Sequence, residues 1–199
     1  ISEIIRHSDK QIMCVVKSNA YGHGLEKTVN SLFSQGINRF STYYLHEALK
    51  IKKIIPHAQV LHLGPIFSDP DIELLCENDI DLTITSIDQL RNISEKTRVY
   101  SNPLKVHLKI DTGMHRLGFS YSELIDVLEL LKQDLRIEIA SVFTHLAGAD
   151  DSQLDNFSQQ QISEFDKACL YLQEHISTPF FQHILNSAGA IRFPQMAKD

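Results

Sequence analysis

Residues 14–24, CVVKSNAYGHG, run from a short apolar segment through a lysine into a turn that contains two glycines. The apolar residues predict a buried strand over residues 12–16, and a helical pattern begins at Leu25. Lys17 stands where the apolar segment ends. Because a buried ammonium is costly to desolvate unless it is paired or reacts, this lysine indicates a site for a phosphate, a carboxylate or a reactive carbonyl. A strand-end lysine that extends into solvent fits the same pattern.

The composition predicts one globular domain with no membrane or nucleic-acid partner. The chain has 199 residues, of which 43% are hydrophobic and 22% charged, and this is enough for a sizeable core. Its net charge is -6 and it contains no basic run, which argues against nucleic acid. No segment approaches the roughly 18 consecutive apolar residues that mark a membrane helix.

The three cysteines are widely spaced and form no paired motif. This pattern predicts reduced, buried thiols in a cytoplasmic protein. No pair of histidines or cysteines has the spacing of metal ligands, so the sequence predicts no catalytic metal.

Segments with strand and helix periodicity alternate along the chain. Seven strands are predicted, each followed by a helix or by the beginning of one, and this order is typical of parallel βαβ units. It predicts an incomplete (β/α)8 TIM barrel in a single domain over residues 1–199, with a doubly wound open sheet as the alternative. The predicted strands cover residues 12–16, 39–44, 59–63, 81–85, 105–110, 137–144 and 180–185. The predicted helices begin at residues 25, 45, 68, 86, 121, 157 and 188.

The most unusual polar residues follow the predicted strands. In a barrel, functional residues lie at the carboxyl ends of the strands, so this shared position indicates a common site. The candidates are Lys17, Tyr21, Lys109, Asp111, Arg116, His145, His183, Asn186 and Ser187, with Leu63 as the main candidate from the middle strands.

Several candidates also have a purely structural interpretation. Asp111 and Arg116 would form a local ion pair on a loop. His145 would be a hydrogen-bonded structural histidine, and Asn186 with Ser187 would cap a helix.

Two long motifs carry a family resemblance. Residues 15–24, VVKSNAYGHG, and residues 106–119, VHLKIDTGMHRLGF, together resemble the alanine racemases, which are fold-type III enzymes that use pyridoxal 5'-phosphate. Shorter matches follow at fitting distances: Thr144-His145, Ala149-Asp150 and Asn186-Ser187-Ala188. The likeness extends over essentially the whole chain. One departure is His115, where glycine or asparagine is more usual.

The resemblance implies a role for each candidate. Lys17 would hold pyridoxal phosphate covalently and act as one of two bases. Tyr21 and Ser187 would bind its phosphate, Arg116 would donate to its phenolic oxygen, and His145 would lie against its ring. Leu63 and Asn186 would complete the cofactor contacts. Behind them, His183 would orient an arginine near the ring nitrogen, and Lys109 occupies a position that is often carbamylated, where the carbamate would fix Arg116.

The resemblance also implies that the chain is a fragment. An eighth strand with the arginine, and a C-terminal β-domain with the second base, would lie outside it, so we expect the fragment to be inactive by itself. The full-length chain would be a homodimer that interconverts L- and D-alanine for peptidoglycan. The alternatives are a racemase of serine or lysine, a single-barrel protein of pyridoxal phosphate homeostasis, a fold-type III decarboxylase and a barrel without enzymatic activity.

Overall fold

The computed structural model describes residues 10–97, 103–133 and 136–198. Its sheet has seven parallel strands that are hydrogen-bonded in the order of the sequence, β1 to β7. The strands are β1 (Cys14–Val15), β2 (Arg39–Thr42), β3 (Gln59–His62), β4 (Ile80–Ile84), β5 (Leu104–Lys109), β6 (Ile137–Phe143) and β7 (Phe181–His183).

The strand order decides between the two predicted architectures. In a doubly wound sheet the order reverses at a switch point, whereas in a barrel each strand pairs with the next one along the chain. All six pairings here join consecutive strands. The incomplete (β/α)8 barrel is therefore confirmed and the doubly wound sheet is excluded. All the carboxyl ends of the strands lie at one edge, which we call the carboxyl edge.

Seven right-handed helices connect the described strands or follow the last one. The helix after β3 starts at a local signal: the Ser68 hydroxyl accepts a hydrogen bond from the N–H of Asp71 at 3.3 Å, with Pro70 in the first turn. The helix that follows β2 ends before Pro56, as predicted. The helices are α1 (Leu25–Phe33), α2 (Leu45–Ile54), α3 (Asp69–Glu77), α4 (Ile87–Thr97), α5 (Leu124–Gln133), α6 (Asp155–His175) and α7 (Ser187–Arg192). Short 3-10 turns cover Tyr121–Glu123, Ser152–Leu154 and Pro194–Met196.

The first strand is shorter and less buried than predicted. Only Cys14 and Val15 pair with β2, and Val15 is 44% exposed. The apolar run was expected to be buried on both faces, but β1 is the edge strand of the described sheet. An edge strand has one neighbour instead of two, so part of its surface stays uncovered.

One continuous core lies between the strands and the helices. Cys14 and Cys169 are buried in or beside it, whereas Cys76 is only partly buried, which corrects the prediction of three buried thiols. All three thiols are free, as predicted. Within the described residues, no helix combines the length and the apolar character required to cross a membrane.

Candidate active site

The candidate residues lie along the carboxyl edge. Lys17 comes two residues after β1, and Leu63 directly follows β3. Lys109 is the last residue of β5, and His183 is the last residue of β7. His145 comes two residues after β6. Parallel packing thus brings together side chains that are up to 166 residues apart in the sequence, from position 17 to position 183.

Positive charge converges on His145. Burial lowers the pKa of this imidazole, and the charges of Lys109, Arg116 and Lys17 lower it further. All three cations therefore lie close enough to His145 to repel a proton on its ring. Since Lys17 follows β1 whereas Lys109 and Arg116 belong to the end of β5, two strand ends contribute to one electropositive site that favours an anionic ligand.

Lys109 is the most perturbed amine of this site. Lys109 is 8% exposed, and its ammonium nitrogen lies 5.4 Å from the centroid of the Phe143 ring. Burial and the charge of Arg116 lower the pKa of Lys109 to about 8, although the Asp111 carboxylate opposes the shift. A substantial fraction of this amine is neutral near pH 7.5, unlike that of an ordinary lysine.

Lys17 begins an unusual turn. The four residues after it, Ser18–Tyr21, all have positive φ angles between 53° and 55°, so they form one turn of left-handed helix. Lys17 is partly buried, and Tyr21 at the other end of the turn is 61% exposed. The turn therefore places an amine and a phenol on the same part of the edge. Sequence reasoning predicted a turn here but not its handedness.

The loop after β5 is organised by Asp111. One carboxylate oxygen accepts the N–H groups of Gly113 and His115, each at 3.0 Å, and the other lies 3.5 Å from Nδ1 of His115. Burial raises the pKa of Asp111, but these N–H groups and the His115 and Lys109 charges together bring it below its ordinary value. Within residues 103–133, the Asp111 carboxylate contacts His115 and not Arg116, so the alternative interpretation of Asp111 and Arg116 as a local ion pair is wrong. Arg116 is exposed.

The same loop shows why glycine or asparagine would suit position 115 better than histidine. Its φ angle is 53°, in the left-handed region that favours glycine and asparagine. Histidine is tolerated there because its backbone and its ring both contact the Asp111 carboxylate.

Gln161 on α6 joins the loops after β5 and β6, and sequence reasoning missed it. Its amide group donates to Thr112 Oγ1 at 3.1 Å and to the carbonyl of His145 at 3.0 Å. Its oxygen accepts the N–H of Ala147 at 2.9 Å. The Gln161 side chain is fully buried. It therefore fixes the backbone that carries His145.

A chain of polar side chains crosses the inner face of the barrel from β4 to β7. His107 Nε2 lies 3.1 Å from an Asp81 carboxylate oxygen, and His107 Nδ1 lies 2.6 Å from Ser141 Oγ. Ser141 Oγ in turn lies 2.9 Å from His183 Nε2. The His183 ring stacks on Phe143 at 4.7 Å, with the two planes 3° apart.

This chain constrains the proton positions of both histidines. The Asp81 carboxylate only accepts, so Nε2 of His107 carries a proton; when Nδ1 of His107 carries none, it accepts from the Ser141 hydroxyl. The Ser141 oxygen then accepts from Nε2–H of His183, which leaves Nδ1 of His183 as an acceptor. Burial lowers the pKa of His183 to about 3, and the nearby Lys109 and Arg39 cations lower it as well, so it is neutral at pH 7. Of the four residues in the chain, the sequence predicted only His183, although the alternation of polar and apolar residues in β5 was a usable signal.

The loop after β7 places the last two candidates. The carboxamide of Asn186 donates to the carbonyl of Leu146 at 2.8 Å and accepts the N–H of Gly189 at 2.8 Å, so it caps α7 as predicted. Its polar atoms are thus already bonded within the protein. Ser187, the first residue of α7, is exposed at the edge. Leu63 is partly buried, and its N–H donates to the carbonyl of Thr42 at 2.7 Å.

Comparison with known proteins identifies what the chain is similar to. Residues 1–199 match the family described as "Alanine racemase, N-terminal domain". The chain is 33% identical to alanine racemase from Carboxydothermus hydrogenoformans over 207 aligned residues, covering 99% of the chain and 55% of that protein. It is also 33% identical to alanine racemase from Helicobacter pylori, covering 92% of the chain and 48% of that protein.

Solved structures give the same result. The structure of alanine racemase from Bacillus anthracis with bound L-Ala-P has a TM-score of 0.87 and 31% identity, over 96% of the chain and 50% of that protein. Alanine racemase from Clostridium difficile 630 has a TM-score of 0.88 and 25% identity, over 99% of the chain and 52% of that protein. The chain spans about half the length of the relatives it matches.

Proposed function

Because the chain belongs to the alanine racemase family, we propose that residues 1–199 form the pyridoxal phosphate-binding barrel domain of an enzyme that interconverts L- and D-alanine. The observation that carries this proposal is the convergence of Lys17, Lys109 and Arg116 on His145 at the carboxyl edge. We also propose that the full-length protein is a homodimer in the cytoplasm and that it supplies D-alanine for peptidoglycan.

The residues at the edge fit pyridoxal phosphate by their chemistry. The cofactor has an aldehyde, a phosphate and a phenolic oxygen, so it requires a primary amine and donors for two anionic groups. The edge offers the Lys17 amine, the Tyr21 and Ser187 hydroxyls and the Arg116 guanidinium. When bound, the cofactor supplies an electron sink that acidifies the α-hydrogen of an amino acid.

Lys17 has two tasks in this proposal. It holds the cofactor covalently through Nζ, and after release it moves a proton at the α-carbon on one face of the substrate. Both tasks require the neutral amine.

The other residues at the carboxyl edge bind the cofactor and orient it. Tyr21 and Ser187 donate to the phosphate, Arg116 donates to the phenolic oxygen and His145 lies against the ring. His183 presents Nδ1 as an acceptor, because Ser141 occupies its Nε2–H. An acceptor in this position suits a guanidinium donor, in keeping with the arginine implied by the family resemblance. Leu63 contributes an apolar contact, and Asn186 places Ser187 by capping α7.

Lys109 is proposed to carry a carbamate that fixes Arg116. A carbamate forms from carbon dioxide and a neutral amine, and the lowered pKa of about 8 provides that amine near neutral pH. The test is the 13C spectrum of the protein with labelled bicarbonate. We expect a carbamate signal that is lost in Lys109→Arg and retained in a control, Lys105→Arg. A signal that persists in Lys109→Arg would overturn this assignment.

The covalent role of Lys17 is tested by trapping. The protein is incubated with pyridoxal phosphate and reduced with borohydride, and its peptides are mapped by mass spectrometry. We expect the pyridoxyl group on Lys17, loss of this adduct in Lys17→Ala, and normal labelling in a control, Lys27→Ala, which removes an exposed lysine of α1. Labelling that is spread over surface lysines, or that persists unchanged in Lys17→Ala, would refute the proposal.

The substrate is tested on the full-length protein. L-alanine, L-serine and L-lysine are each supplied, and the D-enantiomer is measured by chiral chromatography. The proposal expects D-alanine as the main product. Faster production of D-serine or D-lysine would move the function to one of those racemases, and binding of the cofactor without any racemisation would favour a homeostasis protein.

A further inference from the structure

The left-handed turn Ser18–Tyr21 requires support from outside itself. A left-handed helical conformation costs about 1–2 kcal/mol for each residue with a side chain. Four such residues in succession therefore persist only where their surroundings stabilise them. The turn matters because it joins Lys17 to Tyr21, the amine and the phenol proposed to hold the two ends of the cofactor.

The N–H groups at the start of this turn point to a single buried carboxylate. Glu47, in the first turn of α2, is 5% exposed. Its Oε1 accepts the N–H of Asn19 at 2.7 Å, and its Oε2 lies 3.3 Å from the N–H of Ser18. These contacts span 28 and 29 positions of sequence, so they are tertiary contacts. A charged acceptor for two N–H groups is among the stronger hydrogen-bond arrangements in proteins.

The N–H groups of Ala20 and Gly22 are already used locally. The N–H of Ala20 bonds to the carbonyl of Val16 at 2.9 Å, and that of Gly22 bonds to the carbonyls of Ser18 and Asn19 at 3.2 Å. The Asn19 side-chain oxygen accepts the N–H of Leu25 at 2.8 Å, which joins the turn to α1. Glu47 therefore provides the contact that α2 makes with the first two N–H groups of the turn.

We propose that Glu47 is a positioning residue for Lys17 and Tyr21. Its carboxylate holds the left-handed turn against α2, and the turn holds the Lys17 amine at the carboxyl edge. Glu47 acts through backbone N–H groups and does not touch the cofactor. The inference rests on the proposed function, because only cofactor attachment requires Lys17 to be held at this position.

The first test uses the cofactor-free protein. Hydrogen exchange is measured by mass spectrometry on a peptide that contains residues 17–24. We expect Glu47→Ala to accelerate exchange of the Ser18 and Asn19 N–H groups by about ten- to a hundredfold, since a buried charged hydrogen bond is lost. Glu47→Gln keeps an acceptor oxygen without the charge, so its acceleration is expected to be smaller.

The matched control is Glu26→Ala on α1. Glu26 is an exposed glutamate whose carboxylate lies 3.8 Å from Lys50. We expect this variant to exchange like the unmodified protein. Exchange in Glu47→Ala equal to that of the control would overturn the proposal. Exchange raised throughout the chain would indicate general unfolding, and Glu47→Gln would then decide: local acceleration at residues 17–24 supports the proposal, and none overturns it.

The second test measures attachment at Lys17. Each variant is incubated with limiting pyridoxal phosphate and reduced with borohydride, and the Lys17 adduct is divided by the adducts on all other lysines. We expect this ratio to fall at least tenfold in Glu47→Ala, to recover partly in Glu47→Gln and to stay unchanged in Glu26→Ala. A loosened turn with an unchanged ratio would show a purely structural role and overturn the proposal. If the unmodified protein itself lacks the Lys17 adduct, the proposed function fails and takes the positioning role with it, whereas the exchange result still reports whether Glu47 holds the turn.

Discussion

Replacement of Ser141 with alanine would break the polar chain on the inner face of the barrel at its centre. The hydroxyl is 1% exposed and contacts His107 Nδ1 at 2.6 Å and His183 Nε2 at 2.9 Å. Alanine removes both contacts and leaves a cavity of about one oxygen atom. Two ring nitrogens would then lose their partner in a region with little access to solvent.

The expected loss of stability follows from these two contacts. A buried donor or acceptor that loses its partner costs about 1–3 kcal/mol. Two such groups give a loss of about 2–6 kcal/mol in the free energy of unfolding, measured at pH 7 by urea denaturation. In the variant, His183 should no longer be held in one tautomer, because its Nε2–H has lost its acceptor.

Ser158→Ala is the matched control. Ser158 lies on α6 and is also fully buried, but its hydroxyl has no hydrogen-bond partner in the described part of the chain. Its loss should change the free energy of unfolding by no more than about 0.5 kcal/mol, and in the stabilising direction, because alanine is the better helix former. The nitrogen shifts of labelled histidine report the tautomer of His183. Equal stability of Ser141→Ala and Ser158→Ala, with the tautomer of His183 unchanged, would refute the assigned chain.

Two further predictions concern stability. Burial lowers the pKa of His62 to about 4, and the Asp71 carboxylate opposes this shift less strongly. At a pH below about 6.5, the ordinary pKa of histidine, the unfolded chain therefore takes up a proton that the folded chain excludes. The free energy of unfolding therefore falls by about 2 kcal/mol between pH 7 and pH 5. Urea denaturation of His62→Leu should show no such fall, and an identical pH dependence in the variant would contradict the reasoning. His115→Asn should raise the melting temperature, because asparagine tolerates the left-handed φ of 53° better, by about 0.5 kcal/mol in the free energy of unfolding. A lower melting temperature would show that the contact of the His115 ring with Asp111 matters more.

The alternation of strands and helices could be predicted from sequence because it depends on local periodicity. The cap at Asn186 and the start of α3 at Ser68 were also predictable, since their partners lie within three residues. The handedness of the turn after Lys17 was not, because its non-glycine residues give no local sign of positive φ.

The supports of the site were missed for a different reason. Gln161 bonds to Thr112, 49 positions away, and Ser141 bonds to His183, 42 positions away. Glu47 resembles any glutamate in the first turn of a helix. Each becomes recognisable only when the fold brings its partner to it, whereas Lys17 and His145 stand next to strands whose ends the sequence already indicates.

The proposed function requires that one carboxyl edge holds pyridoxal phosphate, with Lys17 at its aldehyde carbon. A crystal structure of the protein after incubation with the cofactor and reduction with borohydride tests this most directly. We expect continuous density from Nζ of Lys17 to the cofactor, with the phosphate at the Tyr21 and Ser187 hydroxyls and the ring against His145. A cofactor bound away from this edge, or attached to another lysine, would contradict it.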